Sequence, residues 1–271
     1  MADITAKMVN ELRAKTGLGM MECKKLLTES GGDVEKAIEI ARKKGIKTSI
    51  TERVASEGRV AGAKSADGKT AALVEVNCNT DFTAKSEPVA ALANKAAQYL
   101  IQNPAGDAAL HVANDLIDVA QKTGENVRIG KTAVLSNPAG KVGLYSYAIS
   151  GKIGVIMSFG GNVANLTDEL VSDIGGHVAF ARPLGLDRNG IPKELVDKER
   201  EIAVEQAKAT GKPQQIAEKI AEGKLNSFFA ERALLDQEFF NAQKFKGSIQ
   251  NFLKEKGLTL LDYRRVEVGQ Q

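Results

Sequence analysis

Val76-Asn77-Cys78-Asn79-Thr80-Asp81-Phe82-Thr83-Ala84-Lys85-Ser86-Glu87 is the stretch on which the reading of this chain turns. The apolar run Ala71 to Val76 leads into it and predicts a buried strand, and an alanine-rich helix begins near Pro88 on its far side. Between them a polar turn sets an acid beside a large aromatic. Thr80 or Asp81 is suited to cap a short helical turn, because a side-chain oxygen there satisfies free amide donors. Phe82 then stands where the chain leaves the sheet, a kind of position at which loops carry function. A lone phenylalanine in such a turn is more often a core aromatic, so the rest of the chain decides its role.

Upstream, residues 1–45 read as a three-helix bundle. Val9, Leu12 and Thr16 share one face of the first helix, which Gly17 can end. Met20, Cys23 (or Lys24) and Leu27 mark the second, and Asp33 caps a third with Val34, Ala37, Ile38 and Ala41 inward, closed by Gly45. The short apolar link Gly17 to Met21 leaves noticeable methionines on a small bundle. Residues 46–60 are polar and read as a linker helix. A core half over 61–140 holds strand Ala71–Val76, helix Val89–Leu100, helix Ala109–Gln121, the loop Gly124-Glu125-Asn126 and a strand at Val127–Leu135.

Downstream, 141–191 and 224–271 form a second half with strand Ile153–Phe159 and a helix over Leu170–Phe180. Gly68-Lys69 before the first strand matches Gly151-Lys152 before the second, so one supersecondary unit is used twice. Residues 192–223 interrupt the second half. Leu195, Glu199, Ile202 and Gln206 keep helical spacing up to Thr210-Gly211-Lys212-Pro213, and Ile216 and Ile220 follow, which predicts a projecting antiparallel helical hairpin on a thin apolar stripe. A helix at Ile249–Leu253 and a strand at Leu258–Val266 complete the chain.

With 271 residues the chain is long enough for more than one domain. Its 37 basic and 34 acidic residues nearly balance, with no long basic run, which argues against direct nucleic-acid binding. The absence of Trp removes the usual stacking platform for single strands. No apolar run approaches the roughly 20 residues that span a bilayer. Cys23 and Cys78 follow no metal-ligand spacing, and with no signal peptide before the amphipathic start they point to reduced thiols in the cytoplasm.

Chemistry of its own is not in view. His111 and His177 both fall on predicted helices without a nucleophile or carboxylate arrangement. The glycine pairs at 31–32, 160–161 and 175–176 form neither a dinucleotide fingerprint nor a phosphate loop, so no nucleotide or other cofactor is expected. An interaction protein is favoured over an enzyme.

Leu12-Arg13-x-x-Thr16-Gly17-x-Gly19-Met20-Met21-x-Cys23-Lys24-Lys25 resembles the bacterial elongation factor Ts family. So do Glu75-Val76-Asn77-Cys78-x-Thr80-Asp81-Phe82, Gly124-Glu125-Asn126, Leu234-Leu235-Asp236-Gln237 and Glu267-Val268-Gly269, in the family's order. The resemblance implies an α+β protein with a ubiquitin-associated-like amino-terminal bundle, two related subdomains with antiparallel sheets, and the hairpin. It implies a guanine-nucleotide exchange factor for elongation factor Tu that makes no covalent change, the alternative being a passive or chaperone-like partner of a GTPase. By motif matching, Thr80, Asp81, Phe82 and Thr83 form the segment that dislodges the partner's magnesium, while Arg13, Met20, Met21, Gly124 and His177 are docking contacts. Three departures stand out: Thr83 replaces a usual valine, Gly176 a common methionine, and the sequence stops at Gln271, short of a further helix found in many relatives. The hairpin is free to pair with a second copy.

Overall fold

The computed structural model describes residues 4–44, 46, 55–209, 211 and 213–270. The expected closing residue Gly45, most of the expected linker, and Thr210 and Lys212 of the hairpin turn lie outside the described residues. The fold is α+β.

Three helices, α1 (Ala6–Thr16), α2 (Met20–Glu29) and α3 (Val34–Lys43), come first. Thr5 caps α1 through the amide of Met8, and Gly17 ends it in the left-handed conformation that Cβ-bearing residues avoid. Val9, Leu12, Cys23, Leu26, Leu27, Ala37 and Ala41 fill the bundle, while Met20 and Met21 stay outside.

The core uses one plan twice. Strand β1 (Glu57–Lys64), β2 (Thr70–Cys78), helices α4 (Asp81–Lys85), α5 (Glu87–Gln102), α6 (Ala108–His111) and α7 (Ala113–Thr123), and strand β3 (Arg128–Ser136) make the first half. Strand β4 (Lys141–Ser146), β5 (Ile153–Gly161), helix α8 (Asp168–Ala181), the hairpin α9 (Lys193–Lys208) and α10 (Gln214–Arg232), then α11 (Ile249–Glu255) and β6 (Leu258–Glu267) make the second. Each sheet is antiparallel with its second strand central, in the orders β1-β2-β3 and β4-β5-β6.

The two central strands are buried on both faces, which is why each reads as an unbroken apolar run. One face of β2 (Ala72, Val74, Val76) packs on Val89, Leu92, Ala93 and Ala96 of α5. One face of β5 (Val155, Met157, Phe159) packs on Leu170, Ile174 and Val178 of α8. Between the sheets lie Val60, Ala71, Leu73, Leu135, Val142, Ile156 and Val266. The turn glycines knit the halves reciprocally. The Val60 amide donates to the Gly151 carbonyl at 2.8 Å, and the Val142 amide to the Gly68 carbonyl at 2.8 Å.

Four expectations are corrected. Residues 57–60 belong to β1 rather than to a linker helix over 46–60. The helix expected over Ala109–Gln121 is broken at Val112, whose ψ of 18° leaves helical geometry between α6 and α7. The hairpin expected to end at 223 continues to Arg232. Its seam is alanine (Ala203, Ala207, Ala217, Ala221), which lets the helix backbones approach, so Leu195, Ile202 and Ile216 face solvent instead of forming the stripe.

Candidate functional site

Helix α4 stands at the end of the central strand β2, where its cap and its anchor set the direction of each side chain. The Thr80 hydroxyl accepts the Thr83 amide at 3.3 Å, and Thr80 itself is extended (φ −126°, ψ 154°). Asp81 lies in the first turn, where its charge suits the helix dipole, and pairs with Lys85 at 2.8 Å one turn on. The Lys85 ammonium accordingly holds the Asp81 carboxyl below the usual carboxylate range. Ala84 is buried against the core, and on so short a helix this turns position 82 the other way. Phe82 is 83% exposed, so the inward reading of that aromatic is overturned. Ser86 is extended again and its hydroxyl donates to the Thr83 carbonyl at 2.7 Å, which ends α4 and starts α5.

The turn is held from outside by Glu125. Its carboxylate accepts the amides of Asn79 at 2.9 Å and Thr80 at 3.0 Å and the Thr80 hydroxyl at 2.7 Å. In return the Asn126 amide donates to the Asn79 side-chain oxygen at 2.8 Å. Burial pushes the Glu125 carboxyl up, but hydrogen bonds from Thr80, Thr83 and Asn79 outweigh it, leaving the group below its ordinary value. Gly124 makes the loop by capping α7 at φ 69°, a left-handed value that favours glycine. Just beneath, burial first and the Glu125 charge second push the Cys78 thiol up to about 11, so it stays protonated.

The bundle is attached to the same loop-bearing helix. The Gln121 side-chain amide of α7 donates to the Gly17 carbonyl at 2.9 Å, on the link that leads to Met20 and Met21. Met21 is 78% exposed, and Arg13 is half-buried with an Nε that has no acceptor among the described residues. Arg13, Met20, Met21, Gly124 and the 80–83 turn thus belong to elements linked through α7.

His177 lies elsewhere. It is buried on α8 with Nε2 3.0 Å from the Gln237 side-chain oxygen, and Nδ1 has no partner among the described residues. Burial lowers its pKa against the opposing effect of the Gln237 bond. Exposed aromatics flank it: Phe240, whose ring centroid is 6.2 Å from the imidazole, and Phe180, which meets Tyr147 edge-on at 5.0 Å. The β4–β5 turn that starts at Tyr147 carries Ile149, 85% exposed. This turn and α4 together line a cleft of about 210 Å³.

Glu125, Ile149, Phe180 and Phe240 were not singled out from sequence. Glu125 lies inside the Gly124-Glu125-Asn126 motif, and Ile149 is an apolar residue stranded in a polar turn; the other two needed the fold. Among the described residues no cluster of His, Cys, Asp and Glu is placed to hold a metal, and no helix is long and apolar enough to cross a membrane.

A model of the family described as Elongation factor TS matches residues 79–270. Proteins named elongation factor Ts from Methylococcus capsulatus, Thiobacillus denitrificans and Dechloromonas aromatica are 39%, 41% and 42% identical to this chain. These similarities cover 98%, 100% and 100% of this chain and 92%, 93% and 92% of the respective relatives. With identity at that level along nearly its whole length, the chain belongs to the elongation factor Ts family of translation elongation factors.

Proposed function

We propose that the protein is a guanine-nucleotide exchange factor for elongation factor Tu, acting in the cytoplasm. The observation that carries this reading is the outward Phe82 on a turn clamped by Glu125. A phenylalanine this exposed contributes little to folding, and three hydrogen bonds accepted by one carboxylate hold its turn in place. Thr80, Asp81, Phe82 and Thr83 enter beside the nucleotide of the partner, and Asp81 disturbs the groups around its magnesium. Arg13, Met20, Met21 and Gly124 dock the bundle side, which the family likeness reads as ubiquitin-associated-like. On the far side buried His177 with its neighbour Phe240 and the exposed Phe180 extend the contact, and Ile149 adds to it across the cleft from α4.

Energetics require such a distributed surface. Accelerating release about ten-thousandfold lowers the barrier by about 5.5 kcal/mol. Burying one phenylalanine supplies only about 1.5–3 kcal/mol. Docking surfaces must supply the remainder by favouring the nucleotide-free partner, and linkage then makes incoming GTP weaken the factor's own binding by the same factor.

Stopped-flow release of a fluorescent GDP analogue from elongation factor Tu tests this: the protein accelerates release, whereas a passive binding module binds and leaves the rate unchanged. A second reading, pairing of two copies through the hairpin, is favoured by the outward Leu195, Ile202 and Ile216. Sedimentation equilibrium of the full chain decides it, since a monomer at tens of micromolar removes it.

A further inference from the structure

The cleft between α4 and the β4–β5 turn has Arg59, Asp81, Ala84, Lys85, Ile149 and Lys152 in its walls, and its charges do not balance. Lys85 is taken by Asp81 at 2.8 Å, and Lys152 by Glu57. Arg59 is left over. Among the described residues it has no ion pair, and the one hydrogen bond of its side chain, from Nη1 to the Ala84 carbonyl, is long at 3.4 Å. Its Nε is buried without an acceptor, an arrangement in which a donor has lost water and gained nothing. The walls of the cleft are fixed. The Val60 amide holds Gly151 at 2.8 Å, and the Gly151 amide closes the turn on the Tyr147 carbonyl at 2.9 Å.

We infer that Arg59 is a specificity-determining residue that receives one carboxylate side chain of the protein partner, from a segment lying in this cleft between α4 and Ile149. The inference rests on the exchange-factor reading above and deepens it. Charge complementarity sets the occupant: two of the three cations are already neutralised, so one carboxylate completes the site and a second is unmatched. A guanidinium offers a planar fork of donors that fits a carboxylate in two parallel bonds, which the Ala84 carbonyl cannot use. A carboxylate entering the cleft draws the guanidinium off that carbonyl and gives its donors acceptors. The site lies against α4, the helix that carries Phe82, but does not include the ring itself.

The test uses the full chain, purified elongation factor Tu and the variants Arg59→Met and Arg59→Lys. Arg59→Met keeps an apolar stem and removes the charge. Its affinity for the nucleotide-free partner falls about tenfold, while the GDP release rate at saturating factor stays within twofold. Arg59→Lys keeps charge and stem, so it folds even if the methionine variant does not, and its affinity falls about threefold because the fork is lost. Binding is repeated from 50 to 300 mM salt, and the parent loses affinity more steeply than Arg59→Met. Parental affinity in a folded Arg59→Met, or in Arg59→Lys when only that variant folds, overturns the inference. A parent that neither binds nor stimulates elongation factor Tu instead overturns the function on which the inference rests.

Discussion

The Glu75 carboxylate, buried on the central strand of the first sheet, accepts the backbone amide of Gly269 at 3.0 Å. The same carboxylate accepts the Asn77 side-chain amide at 2.7 Å and the Lys131 amide at 3.1 Å. A buried carboxylate is tolerated when its lone pairs are filled this way, and here the filling ties the segment after β6 to the central strand of the first sheet. Glu75→Ala strips all three donors of their acceptor and destabilises the fold by about 3 kcal/mol or more, while Glu75→Gln costs about half that. Urea unfolding measures both, and a Glu75→Ala loss below 1 kcal/mol would contradict the arrangement.

Glu125 is the clamp of the exchange turn. Glu125→Ala loses about 1–3 kcal/mol of stability and lowers stimulated GDP release although Phe82 is untouched. The folded-state pKa of Glu125 lies below the unfolded carboxylate value, so its contribution is present above about pH 4.3 and lost as pH falls through the folded value. In Glu125→Gln this part of the acid dependence disappears, which a stability series from pH 6 to pH 3 reads directly.

Phe82→Ala leaves stability within about 0.5 kcal/mol, because the ring buries almost nothing in the free protein. It slows stimulated GDP release, and its loss combined with deletion of residues 1–45 slows it substantially further. Complete loss of stimulation in Phe82→Ala with binding intact would contradict the distributed account.

His177 is buried neutral, so its folded pKa lies below the unfolded value of about 6.5. The unfolded chain takes up the proton first as pH falls, and stability declines below about pH 6.5 until the folded pKa is passed. A nuclear magnetic resonance titration of the His177 ring gives a midpoint under 6.5, and a midpoint above it contradicts the burial.

Gly58 lies where a side chain has no room: an added Cβ would meet the Val76 carbonyl oxygen at 2.3 Å and the Asn77 Cα at 3.1 Å. Both are backbone atoms of the paired strand and cannot turn aside. Gly58→Ala therefore lowers stability by about 1–3 kcal/mol, visible as a reduced thermal midpoint.

What could be read from sequence follows from how each element is buried. Strands β2 and β5 are covered on both faces and announce themselves as apolar runs, while α5 and α8 pack one clear face. Strand β1 was hidden because Gly58, Arg59 and Gly62 carry little strand preference, and it pairs only because β2 offers a template. β4 is six residues with a central glycine, too short a run to signal a strand by itself. The 80–83 turn was visible as a motif; that Phe82 faces out follows from Ala84 facing in, a matter of helix phase. Glu125 reaches its partners across some 45 positions of sequence, a distance no local pattern reports.

The hairpin and α11 come between β5 and β6, and they set an order of assembly on the ribosome. The first sheet is complete in sequence at Ser136, and β3 pairs with a strand already made. β5, apolar along almost its whole length, must wait for Leu258–Glu267, whose pairing begins at Gly161 with Leu258. Until those last strand residues leave the exit tunnel, one edge of β5 is open to any passing strand. A nascent chain stalled before Leu258 therefore holds a first sheet with all its strands beside a second with an open edge, a surface that the released protein no longer offers.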